Sequence, residues 1–292
     1  MSSYTDRRWE IYLDDELFVS GQGGRQFKMT FEVLIDYGNY NSYADIIITN
    51  LTAETANKAF TRGTKLALRA GYGDNIATIF MGVIRNVFRR REGANVVTQI
   101  IARGGTLVNE RPSINEALGE DCTIVDILNA LAGVLELPIE LEADQFSDVL
   151  PYANGYTLTG DPIVYLEDLA ETHGFYWVVE NGRLVVTRIN ATRPGPVHIV
   201  SQFTGMEGIP VITEVGADVT VRLDPRLRIG GRFKIEATSA TFNFSNLYFV
   251  DVPESAGKGE YNIFRLTHRG DTTGNDWSTL ITGIRPQQVG GR

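Results

Sequence analysis

Tyr261–Ile284 reads YNIFRLTHRGDTTGNDWSTLITGI. It holds two β-like runs, Tyr261–Thr267 and Trp277–Ile284, around a polar segment, His268–Asp276. That segment carries Gly270, Gly274, Asp271, Asn275 and Asp276, residue types that turn the chain tightly, so it is read as the turn of a hairpin. Two interpretations compete for it. His268 and Asp271 lie close enough in sequence to be an acid–base pair. Alternatively they satisfy backbone groups in a shaped turn, with Trp277 anchoring the second strand.

Working outward, the same β character fills most of the chain. Trp9, Ile11 and Leu13 alternate with polar residues, as do Phe27, Met29, Phe31 and Val33, the pattern of strands with one buried and one wet face. Further strands are read at Ala44–Ile48, Lys65–Ala70, Ile76–Ile84 and Val96–Ala102. A short helix after the cap Thr52, with Glu54 in its first turn and Gly63 as its stop, interrupts them. Arg85–Arg91 is basic and reads as a strand running into a charged hairpin tip. Tyr37, Tyr40 and Tyr43 recur every three residues in one loop, a spacing compatible with recognition or with loop packing.

The middle of the chain changes period. Thr123 caps an amphipathic helix bearing Ile124, Ile127, Leu128 and Leu131, and Cys122 precedes it. Asp161-Pro162 starts a second helix that Gly174 ends, and Asn181-Gly182 sits between Phe175–Glu180 and Arg183–Arg188 as a hairpin turn. Thr192-Arg-Pro-Gly-Pro196 reads as a linker, since Pro194 and Pro196 forbid a helix or a central strand. Strands then resume. The expected organisation is a β domain over 1–110, an α+β module over 111–195 and a second β domain over 196–292. A faint echo links the outer two: Arg62–Leu68 and Arg228–Ile235 share a Gly, a basic residue and an apolar strand in that order.

Composition limits the chemistry. With 43% hydrophobic residues the 292-residue chain can bury sizeable cores, and a net charge of −9 argues against a basic nucleic-acid-gripping face. One cysteine excludes an internal disulfide framework and a thiolate-rich metal site. His173, His198 and His268 are far apart, with no second His at ligand spacing, and no P-loop or G-x-S-x-G elbow is present, so no cofactor or metal is expected. No apolar run nears the roughly 18–20 residues that span a bilayer, and MSSYTDRRWE lacks a signal-peptide core, so no membrane insertion is expected.

Two segments together resemble a known family. Asn50–Thr55 with Gly63–Tyr72 and Ile79–Arg85, and Tyr261–Asp271 with Trp277, are similar to the baseplate hub proteins of contractile-tailed bacteriophages, the late-control D family and its injection-system relatives. The module at Asp161–Arg188 resembles the family's middle domain, and Asp224-Pro225 with Gly230-Gly231 resembles the entry to its second barrel. The resemblance implies a non-enzymatic chain, mainly β with a central α+β module, in which two tail-tube-like β-barrel domains flank a small α+β domain. It implies a homotrimer presenting six barrels, joining a hexameric tail tube to a trimeric central spike among other baseplate proteins. DNA would pass through its lumen without specific binding. The location implied is the virion tail baseplate, assembled in the host cytoplasm. His268, Asp271, Trp277, Tyr37, Tyr40 and Tyr43 are then structural or interface residues. The alternatives are a hub or spike adaptor of a bacterial injection system, or a glycan-binding or hydrolytic β protein using His268 and Asp271.

Overall fold

The computed structural model describes residues 6–22, 27–38, 42–104, 112–243 and 258–286. The first unit contains β1 (Arg7–Leu13), β2 (Glu16–Gln22), β3 (Met29–Ile35), β4 (Tyr43–Thr49), α1 (Ala53–Ala59), β5 (Lys65–Tyr72), β6 (Asn75–Glu92) and β7 (Asn95–Gly104). β3 and β4 bury alternate residues, as their sequence period requires. Thr52 caps α1 by accepting from the Thr55 amide at 3.1 Å, but the helix closes at Phe60 rather than running on to Gly63.

The central elements are β8 (Ile114–Leu118), α2 (Ile124–Val134), β9 (Ile139–Glu140), β10 (Tyr156–Gly160), α3 (Pro162–His173), β11 (Phe175–Glu180) and β12 (Arg183–Arg188). Thr123 and Asp126 form a reciprocal capping box on α2, and Asp161 caps α3 with Pro162 next to it. Asn181 and Gly182 both take positive φ, 49° and 75°, as the tight β11–β12 turn demands. Ile127, Leu128, Leu131, Leu158, Leu166 and Trp177 belong to a core of this module's own.

The last elements are β13 (Val197–Val200), β14 (Met206–Thr213), β15 (Gly216–Arg222), β16 (Arg232–Ile235), β17 (Thr241–Asn243), β18 (Glu260–Asp271) and β19 (Trp277–Ile284). Here the architecture departs from two closed barrels. One 14-stranded sheet runs β17-β14-β15-β19-β18-β3-β4-β7-β6-β5-β1-β2, with β16 and β13 branching from β18, and among the described residues its path is open at β2 and β17. The physical reason lies in β18. Its first half pairs with β16 and its second half with β3, so hydrogen bonds that could close a barrel instead join the two β units. A single apolar core, including Ile46, Ile100, Phe233 and Ile281, runs through both.

The two units repeat each other. The orders β3-β4-β7-β6-β5 and β14-β15-β19-β18-β16 are the same, and every corresponding pair is antiparallel. A bulge follows Ile84 in one unit and Ile263 in the other. Gly63 and Gly230, at φ 103° and 78°, donate to Ile84 and Ile263 at 3.0 and 2.8 Å. Ile84 and Ile263 in turn donate to Thr64 and Gly231 at 3.0 and 2.8 Å. Ala44-Asp45-Ile46 and Ala217-Asp218-Val219 occupy matching places on β4 and β15. The echo between 62–68 and 228–235 therefore falls in register, Lys65 on Arg232 and Leu68 on Ile235. The repeat is not complete: β13 runs parallel to β16, whereas β1 runs antiparallel to β5, and β2 has no counterpart among the described residues.

The stretch 192–196 is not a free tether. Arg193 is buried; its Nη1 lies 2.6 Å from Glu180 and 3.0 Å from the Ile229 carbonyl, and its Nη2 lies 2.7 Å from Glu140. The guanidinium thus fastens β9 and β11 to the approach to β16. Removing it would leave the buried Glu180 carboxylate unpaired. Arg193→Met is expected to cost about 3–5 kcal/mol in urea unfolding, and Arg193→Met with Glu180→Leu to recover most of that loss, because a buried pair is often replaceable by apolar residues but not divisible.

Candidate functional site

The segment quoted first, 261–284, forms the joint between the two β units. β18 runs four residues past Thr267, so the turn is confined to 272–276, and His268 lies in a strand rather than in a loop. Six successive pairs, from Leu266 opposite Ile35 to Asp271 opposite Thr30, zip β18 to β3. Pairing with a neighbouring strand overrides the turn tendency of Gly270 and Asp271. At Gly270 the partner strand comes so close that any Cβ would meet the Phe31 ring. That ring stands edge-on to Trp277 with centroids 5.3 Å apart.

Charged residues bracket the ladder. Arg269 Nε meets Glu32 at 2.9 Å, and Arg265 pairs with Asp36. The turn is sewn to the start of the chain as well. Arg7 donates to the carbonyls of Asp271, Gly274 and Asn275 at 3.1, 2.6 and 3.0 Å, with its guanidinium 5.6 Å from the centre of the Trp277 ring. Thr272 accepts from the Met29 amide at 2.9 Å and donates to the Phe27 carbonyl at 3.0 Å.

His268 and Asp271 are not brought together. The imidazole is buried, and its Nδ1 lies 2.8 Å from Thr279 Oγ1 across the hairpin. Asp271, at the strand end, accepts from the amide and hydroxyl of Thr273 at 2.8 and 2.9 Å, which with a further backbone donor hold its carboxyl below the usual range despite partial burial. The acid that acts on His268 is Asp224, and burial outweighs it, pushing the imidazole down to about 4. An acid–base pair at 268 and 271 therefore has no geometry.

The tyrosines divide. Tyr37 is buried and stacks on Tyr176 at 4.8 Å and against Phe264 at 5.5 Å, so it joins the first β unit, the central module and β18. Tyr43 sits in β4, its hydroxyl 3.2 Å from Glu32. Tyr40 lies outside the described residues. Arg193, the hub of the buried ion cluster, carried no sequence signal beyond its place beside Pro194.

A cleft of about 650 Å³ opens where 193–200 crosses β15, lined by Tyr72, His198, Asp224 and Arg226 among others. Its two carboxylates are committed: Asp224 accepts from Arg226 at Nε and Nη2, 2.9 and 2.7 Å, and Glu140 pairs with Arg193 at 2.7 Å. His173, in the last turn of α3, meets the Tyr152 hydroxyl at 2.8 Å, and Cys122 is buried beside Tyr152. Among the described residues no group of three His, Cys, Asp or Glu side chains could hold a metal ion, and no helix is long and apolar enough to cross a membrane.

Comparison with solved structures bears on the fold, and a family model on the class. The fold is that of a tail protein from Neisseria meningitidis MC58, at 9% identity and a TM-score of 0.60 over 96% of each chain. A 43 kDa tail protein of prophage MuSo2 from Shewanella oneidensis matches at 12% identity and a TM-score of 0.58, over 97% of this chain and 99% of that one. An E. coli type VI secretion component, described as similar to T4 tail proteins gp27 and gp5, matches at 12% identity and 0.55, over 94% and 76%. No curated protein sequence matches. The family model for baseplate hub gp41 matches residues 28–243, and the chain belongs to that family. It is a structural component of a phage tail baseplate.

Burial of His268 has a measurable consequence. Between its ordinary value near 6.5 and about 4, the unfolded chain binds a proton that the folded chain excludes. The stability is complete above about pH 6.5 and falls as the pH drops toward 4, by on the order of 3 kcal/mol. In urea melts at pH 7 and pH 4.5, His268→Gln should lose about 2–3 kcal/mol less between the two than the parent does. Equal losses would show that His268 does not titrate this way.

Proposed function

We propose that the chain is a non-enzymatic baseplate hub that forms a three-membered ring and adapts a six-fold tail tube to a three-fold central spike. The observation that carries this reading is the internal repeat: two β units of the same strand order and register in one chain. Three such chains offer six equivalent units, which is how a three-fold body can meet a six-fold one. Heterologous contacts of this kind close only at a defined rotation. In this reading residues 1–110 and 196–292 are the tube-like domains and 111–195 the central module. His268, Asp271, Trp277, Tyr37 and Tyr43 then serve the joint between them. Tube, spike and other baseplate proteins are the partners, the virion tail baseplate is the location, and assembly takes place in the host cytoplasm. DNA passes through the lumen unbound, in keeping with the net charge of −9.

The type VI component among the structural neighbours supports a second reading, a hub or spike adaptor of a bacterial injection machine. Both readings require the ring. Light scattering on the purified chain, alone and mixed with the tube and spike proteins of its own cluster, should give a mass of three copies, with three-fold particles in electron images. A chain that stays monomeric in all mixtures refutes the proposal. Mixing matters, because a weak ring gains stability from each partner that binds only the assembled form.

A further inference from the structure

Matching registers place the second part of β6, from Met81 to Glu92, on β18. Through the shared bulge, Val87 corresponds to Leu266, Arg90 to Arg269 and Glu92 to Asp271. The two strands differ in what lies on their second edge. Leu266–Asp271 is covered by β3. Val87–Glu92 pairs only with β7 among the described residues, because β5 reaches no further than Val83. Phe88 is 51% exposed there, and Arg89, Arg90 and Arg91 follow it in the open. A half-strand that no described residue covers, with an exposed aromatic, invites another strand.

The strand that fits is identified by the same repeat. β14 corresponds to β3 around a bulge in which 208–210 stand in the place of Phe31: Met206 takes the place of Met29, Val211 that of Glu32 and Thr213 that of Leu34. β14 belongs to the other unit, so its natural target is β6 of a second copy, as β3 targets β18 within one copy. Exposed apolar residues mark this end as well, Ile209, Val215 and Phe242. In the isolated chain β17 pairs with Val211, Ile212 and Thr213, the positions equivalent to those of β3 that oppose β18 at 267–269. All three β17 residues are exposed, and the pairing is three residues long against six in the β3·β18 ladder.

We infer that β6 at Val87–Glu92 and β14 at Met206–Thr213 are the two halves of a joint between copies of this chain, built as a repeat of the β3·β18 joint, and that β17 covers the β14 half until a second copy displaces it. The inference rests on the ring reading and adds its contact, its register and its cover. Strand addition supplies the affinity, and the register supplies the specificity.

Disulfide trapping tests it. Arg269 and Glu32 touch within one chain, so Arg90→Cys and Val211→Cys should touch between copies. In a Cys122→Ser background, oxidation should give covalent dimers and trimers and nothing larger. Arg90→Cys with Glu207→Cys, out of register, should give none. Phe242→Pro, which disfavours β17 as a strand, should lower the concentration for half-assembly by tenfold or more in light scattering. A ring that forms with the tube and spike proteins but lacks the 90–211 link overturns this joint and leaves the ring reading standing. An unchanged assembly midpoint in Phe242→Pro overturns the covering role. If neither parent nor Phe242→Pro associates, alone or with those proteins, both readings fall.

Discussion

The β3·β18 ladder is the contact on which the other features depend. It turns two β units into one sheet, and it forces Gly270 to carry no side chain because Phe31 fills that space. It also brings Glu32 and Asp36 against Arg269 and Arg265. These ion pairs are partly exposed, so their direct contribution is small, of order 1 kcal/mol or less each. Their larger effect is to fix which strand pairs with which, since a slip of one residue would turn the buried face outward and set Arg269 opposite Phe31 or Val33 instead of Glu32. The apolar core beneath supplies most of the stabilisation, and the ladder determines its shape.

The central module is attached by different means. Arg193 reaches two acids and a carbonyl from a proline-bounded segment, while Tyr37 stacks between Tyr176 and Phe264. One attachment is ionic and directional, the other aromatic and tolerant of small shifts. Both meet beside Gly230, whose place a Cβ would share with Tyr37 and Arg193. The turn that opens β16 therefore also seats the module, so the module's orientation follows from the entry to the second β unit.

Much of this was legible in the sequence, where the determinants are local. Thr52, Thr123 and Asp161 cap helices because their side chains reach amides two or three residues on. Asn181-Gly182 turns because both residues accept positive φ. The 62–68 and 228–235 echo was visible, and the structure places it in register. What could not be read is non-local. Gly270 and Asp271 look like turn residues until β3, far away in sequence, pairs with them. Tyr37 looked like a loop aromatic because the residues that bury it lie at 176 and 264. Arg193 lacked a signal because its partners come from three other segments. The two barrels that the resemblance implied do not close among the described residues for the same reason: β18 pairs with β3, far away in sequence.

The turn held by Arg7 also sets an order of events in folding. Glu32 and Arg269 are 237 residues apart, and Arg7 lies 267 residues from Gly274. At roughly 5–20 residues per second of synthesis, β3 waits about 10–50 s for its partner. During that time its second edge is an unpaired strand flanking an incomplete core, the condition in which chains aggregate or exchange strands. The alternation of Glu32 and Thr30 on that edge with Phe31 and Val33 keeps polar side chains in step with it while it waits. The β18–β19 hairpin completes the sheet, so truncation shortly before β18 would leave the first unit with an edge that nothing else among the described residues covers.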